Sequence, residues 1–320
     1  MTKLTRDRPA VYASEGSLRT VLTVLILFGV GCGLSLGLIH LDRRSFSGQY
    51  EGSIVGSSRR VICLKPSVTE TVFALGCGER VVGVSSFCEY PPEVKSLQRL
   101  GGVINPNYER LIALRADLVI FQGAFGRIAE FCRKRDIPYL RVEMDDLQTI
   151  DQAILDIGRR MNRSEKAEQL CLHIQDSLDA IARAVSHRER PRVFFSMFRN
   201  SGSFTSLTTV GPKGFLSELL DIAGCENIFD DVKQLYPQIS KESLLKREPQ
   251  IIIETLPREK FSPEIIQAMR EDWLRFSDVP AVRTGRIYFV PEELLFIPGP
   301  RIHEAALVLA KIIHREAFDE

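Results

Sequence analysis

The chain contains the same short unit twice, and this internal repeat limits its fold more than any other feature. The two copies cover residues 107–120 and 240–253. In each copy a polar residue precedes a glutamate, leucines follow, a polar break comes next, and a β-branched run ends the unit. This order predicts a short helix followed by a buried strand. A duplicated unit implies two similar lobes, and the cleft between them is where a function is expected.

The repeat continues upstream of both glutamates. Each half begins with a strand and a proline-containing loop, followed by a helix that ends at a Gly-Cys pair. The glycine of this pair is Gly76 in the first half and Gly224 in the second. The predicted elements are a strand at 60–64 with a helix at 68–75, and a strand at 192–197 with a helix at 214–223. Because the order is kept, two similar Rossmann-like α/β lobes are predicted, at residues 59–163 and 190–320.

A long amphipathic helix is predicted between the lobes, at residues 164–189. Ser164 is a suitable cap for its first turn, and one apolar stripe follows at helical spacing. The stripe consists of Leu170, Ile174, Leu178, Ile181 and Val185. A single helix as the only crossover predicts a rigid connector that permits modest movement of the lobes. The alternative is one ordinary helix within a continuous α/β domain.

Residues 21–41 form an uncharged, largely apolar run with charged residues on both sides. At 1.5 Å per residue, a helix of this length spans about 30 Å, enough to cross a bilayer. The positive charges in residues 1–20 favour a cytoplasmic tail, with the remaining chain anchored in the cell membrane and lying in the periplasm or outside the cell. A cleaved signal segment and a lipoprotein signal at Cys32 are the alternatives. Residues 42–58 are predicted to be a flexible linker.

Composition excludes several classes of function. The net charge of +1 over 320 residues gives no basic surplus for binding phosphates, so no nucleic-acid partner is expected. The sequence has no Walker loop, His-Glu-x-x-His motif or zinc-type Cys-x-x-Cys pair. Of the five histidines only His303 is expected to reach the cleft, and therefore no metal site and no intrinsic cofactor are predicted. The seven cysteines are too irregularly spaced for a disulfide scaffold.

Several short sequences resemble those of a known family. They lie at residues 66–70, 83–93 and 108–111 in the first lobe, and at 209–212, 224–229, 236–240 and 298–301 in the second. From about residue 59 to the C-terminus the chain is similar to the helical-backbone, or class III, periplasmic substrate-binding proteins of ABC importers for cobalamin, iron-siderophores and haem. The sequences Ser-Ser-Phe-Cys-Glu-Tyr-Pro-Pro and Gly-Cys-Glu-Asn-Ile-Phe resemble the cobalamin-binding branch most.

The resemblance implies a receptor without catalytic activity. Its ligand is expected to bind between the lobes, and the loaded protein to dock on the permease dimer of an ABC importer that works with an ATPase. In this family one glutamate on each lobe meets arginines of the permease, and the matching positions here are Glu109 and Glu242. A duplicated acid also suits a two-fold partner. The alternative is that each glutamate only stabilises the N-terminus of its own helix.

Loops at the strand ends are expected to line the cleft. The candidate ligand-binding residues are Ser67, Phe87, Tyr90, Gln122, Arg199, Phe204, Tyr236, Phe296 and Arg301. The rings of Phe87 and Tyr90 can lie on a corrin or porphyrin face. Either arginine can pair with a ligand carboxylate or phosphate, or with a carboxylate of the protein. Val103 and Gln122 stand near positions where some relatives place tryptophan, which leaves a corrinoid, haem and a siderophore open as ligands.

A hydrolase is the rival hypothesis from another class of function. Ser67 or Cys88 would be its nucleophile, with His303 as the base. However, Ser67 lacks the Gly-x-Ser-x-Gly turn that exposes such a serine. No catalytic residue is therefore predicted.

Overall fold

The computed structural model describes residues 49–51, 58–102, 104–124, 126–199, 201–205 and 207–318. The strands are β1 (Gln49–Glu51), β2 (Val61–Cys63), β3 (Val81–Val84), β4 (Gln98–Arg99), β5 (Leu118–Gln122), β6 (Tyr139–Val142), β7 (Arg192–Phe198), β8 (Leu207–Thr209), β9 (Glu226–Asn227), β10 (Gln238–Ile239), β11 (Ile251–Leu256) and β12 (Ile287–Pro291). The α-helices are α1 (Pro66–Ala74), α2 (Tyr108–Ala113), α3 (Gly126–Lys134), α4 (Leu147–Arg160), α5 (Ser164–Val185), α6 (Phe215–Ile222), α7 (Lys241–Lys246), α8 (Pro263–Trp273), α9 (Pro280–Arg283) and α10 (Ile302–Ile313). Short 3₁₀ helices cover Gly78–Arg80, Pro92–Ser96, Arg258–Lys260, Leu274–Phe276, Glu292–Leu294 and Arg315–Ala317.

The strands form two separate sheets, one in each lobe. The first has the order β1-β6-β5-β2-β3-β4, and the second has the order β10-β8-β7-β11-β12 with β9 paired to β7. Neighbours in the middle of both sheets are parallel, while β1 in the first sheet and β8 and β10 in the second pair antiparallel. Parallel neighbours require crossover connections, which the helices supply. The predicted α/β architecture of two lobes is therefore present.

The central strands are buried on both faces, which is why they are almost continuously apolar in sequence. In β2, Cys63 contributes to one hydrophobic cluster and Ile62 to another on the opposite face. In β11, Ile253 and Ile252 are divided between two clusters in the same way. Successive side chains of a strand point to opposite faces, so a run of β-branched residues satisfies both. The strand predictions at 60–64 and 192–197 agree with β2 and β7 to within one residue at each end.

The repeated units adopt the same local geometry. α2 and α7 have six residues each, and the side chains of Asn107 and Ser240 accept hydrogen bonds from the backbone of the third residue that follows. The second residue after each helix has a positive φ, which is 47° at Arg115 and 45° at Glu248. Non-glycine residues seldom adopt this conformation, so its recurrence at matched positions is a structural signature of the duplication.

The two Gly-Cys pairs end their helices in the same manner. Gly76 after α1 and Gly224 after α6 have φ of 69° and 75°, a region that glycine enters without steric penalty. The amide of the following cysteine donates to a carbonyl five residues earlier, at 3.0 Å from Cys77 and 3.2 Å from Cys225. Both thiols are free and buried, and burial raises the pKa of Cys225 to about 12.

α5 runs between the two lobes and has 22 residues, so it is about 33 Å long. It ends at Val185, four residues before the predicted end. Its predicted apolar stripe is buried from Ile174 onwards, with Leu170 half-buried, and it packs on α4 of the first lobe and on α6 and α10 of the second. One hydrophobic cluster therefore contains residues of both lobes and of the helix between them. The rigidity of this connector stays a prediction.

The linker prediction is wrong at Gln49–Glu51. These residues form β1, which pairs antiparallel with β6 and covers the otherwise open edge of the first sheet. The predicted cytoplasmic tail, the apolar run at 21–41 and the remaining linker up to residue 57 lie outside the described residues. Among the residues that the structure describes, no helix is long and apolar enough to span a bilayer.

Candidate functional site

A cavity of about 620 Å³ lies between the two lobes. The first lobe lines it with Leu64, Lys65, Pro66, Ser67, Phe87, Gly102, Ile104, Asn105, Gln122, Met144 and Asp145. The second lobe lines it with Met197, Phe215, Leu216, Tyr236, Glu292, Phe296, Ile297 and Pro298. Most of these residues follow the carboxyl ends of parallel strands, where ligands bind in open α/β sheets. Its volume is within the usual range for small-molecule sites.

Five of the nine predicted ligand-binding residues line this cavity: Ser67, Phe87, Gln122, Tyr236 and Phe296. Ser67 lies at the start of α1 and Gln122 at the end of β5. The Ser67 hydroxyl donates to Oε1 of Gln122 at 2.7 Å. This bond holds two polar side chains of the first lobe together at the cavity wall, and the Gln122 amide N–H₂ remains able to donate.

The cavity also has an exposed apolar wall on the first lobe. Phe87 is 71% exposed and Ile104 is 70% exposed. The Phe87 ring lies beside Gly102, where an added Cβ would approach its Cε2 atom to 3.2 Å. On the second lobe, Tyr236 is exposed as well, and Phe296 is half-buried against the core. Covering these exposed apolar side chains with a flat apolar ligand would favour binding, because it removes their surface from water.

Three charged side chains reach the cavity: Lys65, Asp145 and Glu292. Burial raises the pKa of Glu292, and the neighbouring carboxyls of Glu259 and Glu293 act in the same direction. Burial likewise raises the pKa of Tyr236, with the negative charge of Asp145 as the second cause. These side chains make the cavity polar as well as aromatic.

Arg301 and Tyr90 are near the cavity but do not line it. The guanidinium of Arg301 donates to both oxygens of Glu70, at 2.9 Å from Nε and 2.8 Å from Nη2. Its Cζ atom lies 4.0 Å from the centroid of the Tyr90 ring. Glu70 belongs to α1 of the first lobe, and Arg301 precedes α10 of the second. Of the two predicted roles for Arg301, the structure thus shows the ion pair with a protein carboxylate, and this pair joins the lobes.

Arg199 and Phe204 are not at the cavity, and the structure corrects their placement. The Arg199 side chain is fully buried and donates to Glu254 and to Asp272, each at 2.9 Å. It lies over the ring of Phe204, with 4.5 Å from Cζ to the centroid, beside buried Trp273. A buried guanidinium requires carboxylates that compensate its charge. Glu254 and Asp272 do so, and they hold the Arg199 side chain inside the second lobe. Burial raises the pKa of Glu254 against the opposing effect of Arg199.

The predicted docking glutamates are both exposed. Glu109 lies in the first turn of α2 and Glu242 in the first turn of α7. Asn107 and Ser240 already cap these helices. Hydrogen bonds from its own backbone amide and from Ser240 lower the pKa of Glu242. Contacts at its own helix end thus involve Glu242, while Glu109 is exposed in the first turn of a helix that Asn107 caps.

The groups of the rival hydrolase do not come together. The Ser67 hydroxyl is bonded to Gln122 and not to an imidazole. Cys88 is buried, and burial raises the pKa of its thiol, which disfavours the thiolate that would attack a substrate. His303 lies against His173 of α5, with ring centroids 5.1 Å apart. Among the described residues, no group of three or more His, Cys, Asp and Glu side chains is arranged to hold a metal ion.

Sequence reasoning missed several lining residues. Ile104 and Asn105 follow β4, Asp145 follows β6, and Phe215 begins α6. The apolar run at 139–142, which was not predicted as a strand, precedes Asp145 and is the signal that could have located it. The sequence gives no such signal for Phe215. Its backbone N–H donates a hydrogen bond to the carbonyl of Asp145 at 2.8 Å, and this contact between the lobes joins residues far apart in sequence.

The fold has counterparts among known proteins. Residues 61–294 match the family model described as periplasmic binding protein. An uncharacterised ABC transporter substrate-binding lipoprotein of Bacillus subtilis is 28% identical over 82% of this chain and 82% of its own. The vitamin B12-binding protein of Pectobacterium atrosepticum is 31% identical over 61% of this chain and 71% of its own. A possible iron-binding, periplasmic solute-binding protein of Staphylococcus epidermidis has a similar structure, with a TM-score of 0.71, 28% identity, and coverage of 81% of this chain and all of that one.

Proposed function

The chain belongs to the periplasmic binding protein family, and from this premise we propose that it captures a corrinoid or an iron chelate between its lobes and delivers it to an ABC importer. The predicted class III substrate-binding family is confirmed, and with it the prediction of a binding protein of the importer type rather than an enzyme. The identity of the ligand and the residues that contact it are part of the proposal.

The observation that carries the proposal is the pair of facing walls in the cavity. Phe87 and Ile104 project from the first lobe, and Tyr236 and Phe296 approach from the second. A broad, flat ligand can lie between these walls, and each aromatic side chain buries about 150–250 Å² when it is fully covered. A small ion or a single sugar would leave much of this apolar surface exposed to water.

The similar proteins support the same ligand classes. The relative in Pectobacterium atrosepticum is a vitamin B12-binding protein, and the structure from Staphylococcus epidermidis is of a possible iron-binding protein. Haem and siderophores are the alternative ligands within the same fold. Since tryptophan is absent from the lined cavity among the described residues, the contact surface is built from phenyl, phenol and aliphatic groups.

Delivery requires a second surface. Glu109 and Glu242 stand at matched positions of the duplicated unit, one on each lobe, and both are exposed. We propose that they meet basic side chains on the two subunits of a permease dimer, because a matched pair of charges suits a two-fold partner. An ATPase bound to the permease would then power import.

The N-terminal segment completes the proposal. Residues 21–41 are proposed to hold the protein at the membrane, with residues 1–20 inside and the lobes at 59–163 and 190–320 outside. The similar Bacillus subtilis protein is a lipoprotein, so acylation at Cys32 is the competing form of attachment. Mass spectrometry of the membrane-extracted protein distinguishes them: a retained N-terminus supports the anchor, and a lipidated Cys32 at a new N-terminus contradicts it.

Ligand titration tests the central proposal. Purified protein is titrated with cyanocobalamin, dicyanocobinamide, haemin and a ferric hydroxamate siderophore, and binding is followed by calorimetry and by absorbance. We expect at least one of them to bind with a dissociation constant of about 1 μM or tighter, which is about −8 kcal/mol. Flat titrations with all four would refute the proposed ligand class.

Glu109→Ala and Glu242→Ala test the docking surface separately. Both variants are expected to keep the ligand affinity of the unaltered protein and to weaken uptake of the ligand by cells that carry the importer. Glu168→Ala, which removes an exposed acid from the second turn of α5, is the matched control. Loss of ligand affinity in either docking variant, or full uptake in both, would contradict the assignment.

A further inference from the structure

The charges that face the interlobe cavity are unequal. Lys65 and Asp145 approach from the first lobe and Glu292 from the second. One ammonium group and two carboxylates give the lining a net charge of +1 − 2 = −1. The two arginines predicted to bind the ligand do not change this balance. Arg301 is paired with Glu70, and Arg199 is buried in ion pairs with Glu254 and Asp272.

The two cavity carboxylates have no competing partners in the part of the chain that the structure describes. The backbone of Asp145 is fixed, because its N–H donates to the Thr149 hydroxyl at 3.0 Å and its carbonyl accepts from Phe215. Its carboxylate makes no ion pair or hydrogen bond with a described residue, and neither does that of Glu292. Both acids are thus positioned by the fold while their charges remain available to a ligand.

The surroundings of Glu292 add to the negative potential on that wall. Glu259 and Glu293 are close enough to raise the pKa of its carboxyl, and Lys260 opposes them. Glu293 also has a buried carboxylate oxygen without a hydrogen-bond partner among the described residues. On the other wall, the charge of Asp145 acts on the phenol of Tyr236. A ligand in the cavity therefore meets a carboxylate from each lobe, Asp145 from the first and Glu292 from the second.

We propose that Asp145 and Glu292 select ligands by the charge of their periphery, favouring neutral amide-bearing or cationic ligands and rejecting ligands of the same shape that carry carboxylates. This inference rests on the proposed function, since it assigns a substrate class to the same cleft. Amide N–H groups can donate to both acids, whereas ligand carboxylates would meet like charge in a partly desolvated site. The apolar walls fix the shape of the ligand, and the two acids fix its charge.

A matched pair of corrinoids isolates the effect of charge from the effect of shape. Dicyanocobinamide and dicyanocobyrinic acid share the corrin ring and the cobalt ligands, but the first carries amides where the second carries carboxylates. We expect the amide form to bind at least about tenfold more tightly at low salt, because several ligand charges face the two acids at short range. The difference should shrink as the salt concentration rises.

The variants Asp145→Asn and Glu292→Gln test which residues carry the selection. Each substitution keeps the size of the side chain and removes one charge. We expect each to bind the carboxylate form several-fold more tightly than the unaltered protein does, with the largest gain in the double variant. Glu168→Gln, which removes an exposed charge from α5 outside the cavity, is the control and should leave both affinities unchanged.

The possible outcomes separate this inference from the proposed function. Equal binding of the two corrinoids, or a ratio that persists in the double variant, would overturn charge selection while the proposed function stands. Tight binding of haemin by the unaltered protein, with no gain in the double variant, would overturn it as well. If none of the corrinoids, haemin or the siderophore binds, the proposed function fails and the inference fails with it.

Discussion

Replacing Arg301 with methionine should destabilise the protein, because it breaks the ion pair between the lobes. The substitution keeps most of the volume of the side-chain stem and removes the cation. Glu70 is then left with its side chain 1% exposed and with no opposing charge in place of the two hydrogen bonds of 2.8 and 2.9 Å. Burial already raises the pKa of Glu70, and Arg301 is what opposes that shift.

The expected loss follows from the burial of the two partners. Removing one member of a buried pair costs about 3–5 kcal/mol, because a charge is left uncompensated. The Arg301 side chain is 23% exposed, so water already solvates part of its charge and the lower end of the range applies. Arg301→Met should therefore lower the free energy of unfolding by about 3 kcal/mol. Glu70→Gln keeps a hydrogen-bond acceptor for Arg301 and should cost about 1–2 kcal/mol.

Equilibrium urea unfolding of both single variants and the double variant, followed by circular dichroism, measures the coupling between these residues. If the ion pair acts as described, the double variant should be more stable than the sum of the two losses predicts, by about 2 kcal/mol. Arg127→Met, a substitution of an exposed arginine in α3, controls for the loss of a surface cation. Strictly additive losses, or an Arg301→Met variant that unfolds at the unaltered urea concentration, would refute the reasoning.

Three further predictions concern single side chains. Phe87→Ala should leave stability unchanged, since the residue is 71% exposed, while calorimetry should show at least about a tenfold loss of ligand affinity; unchanged affinity would remove Phe87 from the site. Glu254→Gln should lower the free energy of unfolding by about 3 kcal/mol in urea, because it leaves buried Arg199 with one carboxylate; a neutral effect would contradict that pairing. Burial and His173 lower the folded-state pKa of His303 below that of the unfolded chain, so the unfolded state binds more protons and stability falls as the pH drops below about 6.5. His303→Gln should show a smaller loss between pH 7.5 and 5.5, and an equal loss would contradict the assignment.

The elements that could be predicted from sequence are those whose signals are local. Asn107 and Ser240 cap their helices through their own side chains, and the Gly-Cys pairs end α1 and α6 by backbone bonds within five residues. The buried strands follow from β-branched runs, which both faces of a parallel sheet require. β1 was missed because Gln49–Glu51 has no strand pattern, and its conformation depends on the edge of β6, about 90 residues later.

The candidate site could be predicted only in part, because burial decides what a polar side chain faces. Phe87 follows β3 and Gln122 is the last residue of β5, both at the cavity edge, and the sequence located both. Arg199 also follows a strand, yet Glu254 and Asp272, more than 50 residues away in sequence, hold it inside the second lobe. Nothing near Arg199 in sequence reveals those partners. Whether a charged side chain meets a ligand or a neighbour is therefore settled by tertiary contacts.

The continuous hydrophobic cluster that passes from one lobe through α5 to the other has a kinetic consequence. Swinging the lobes far apart would pull this shared layer open, and each buried aliphatic side chain exposed would cost about 1.5–3 kcal/mol. Rotations of the Phe87 and Ile104 side chains break no such layer, because both residues are about 70% exposed. We therefore expect a bound molecule to escape when these side chains turn away from it, so the residence time is set at the mouth of the cleft.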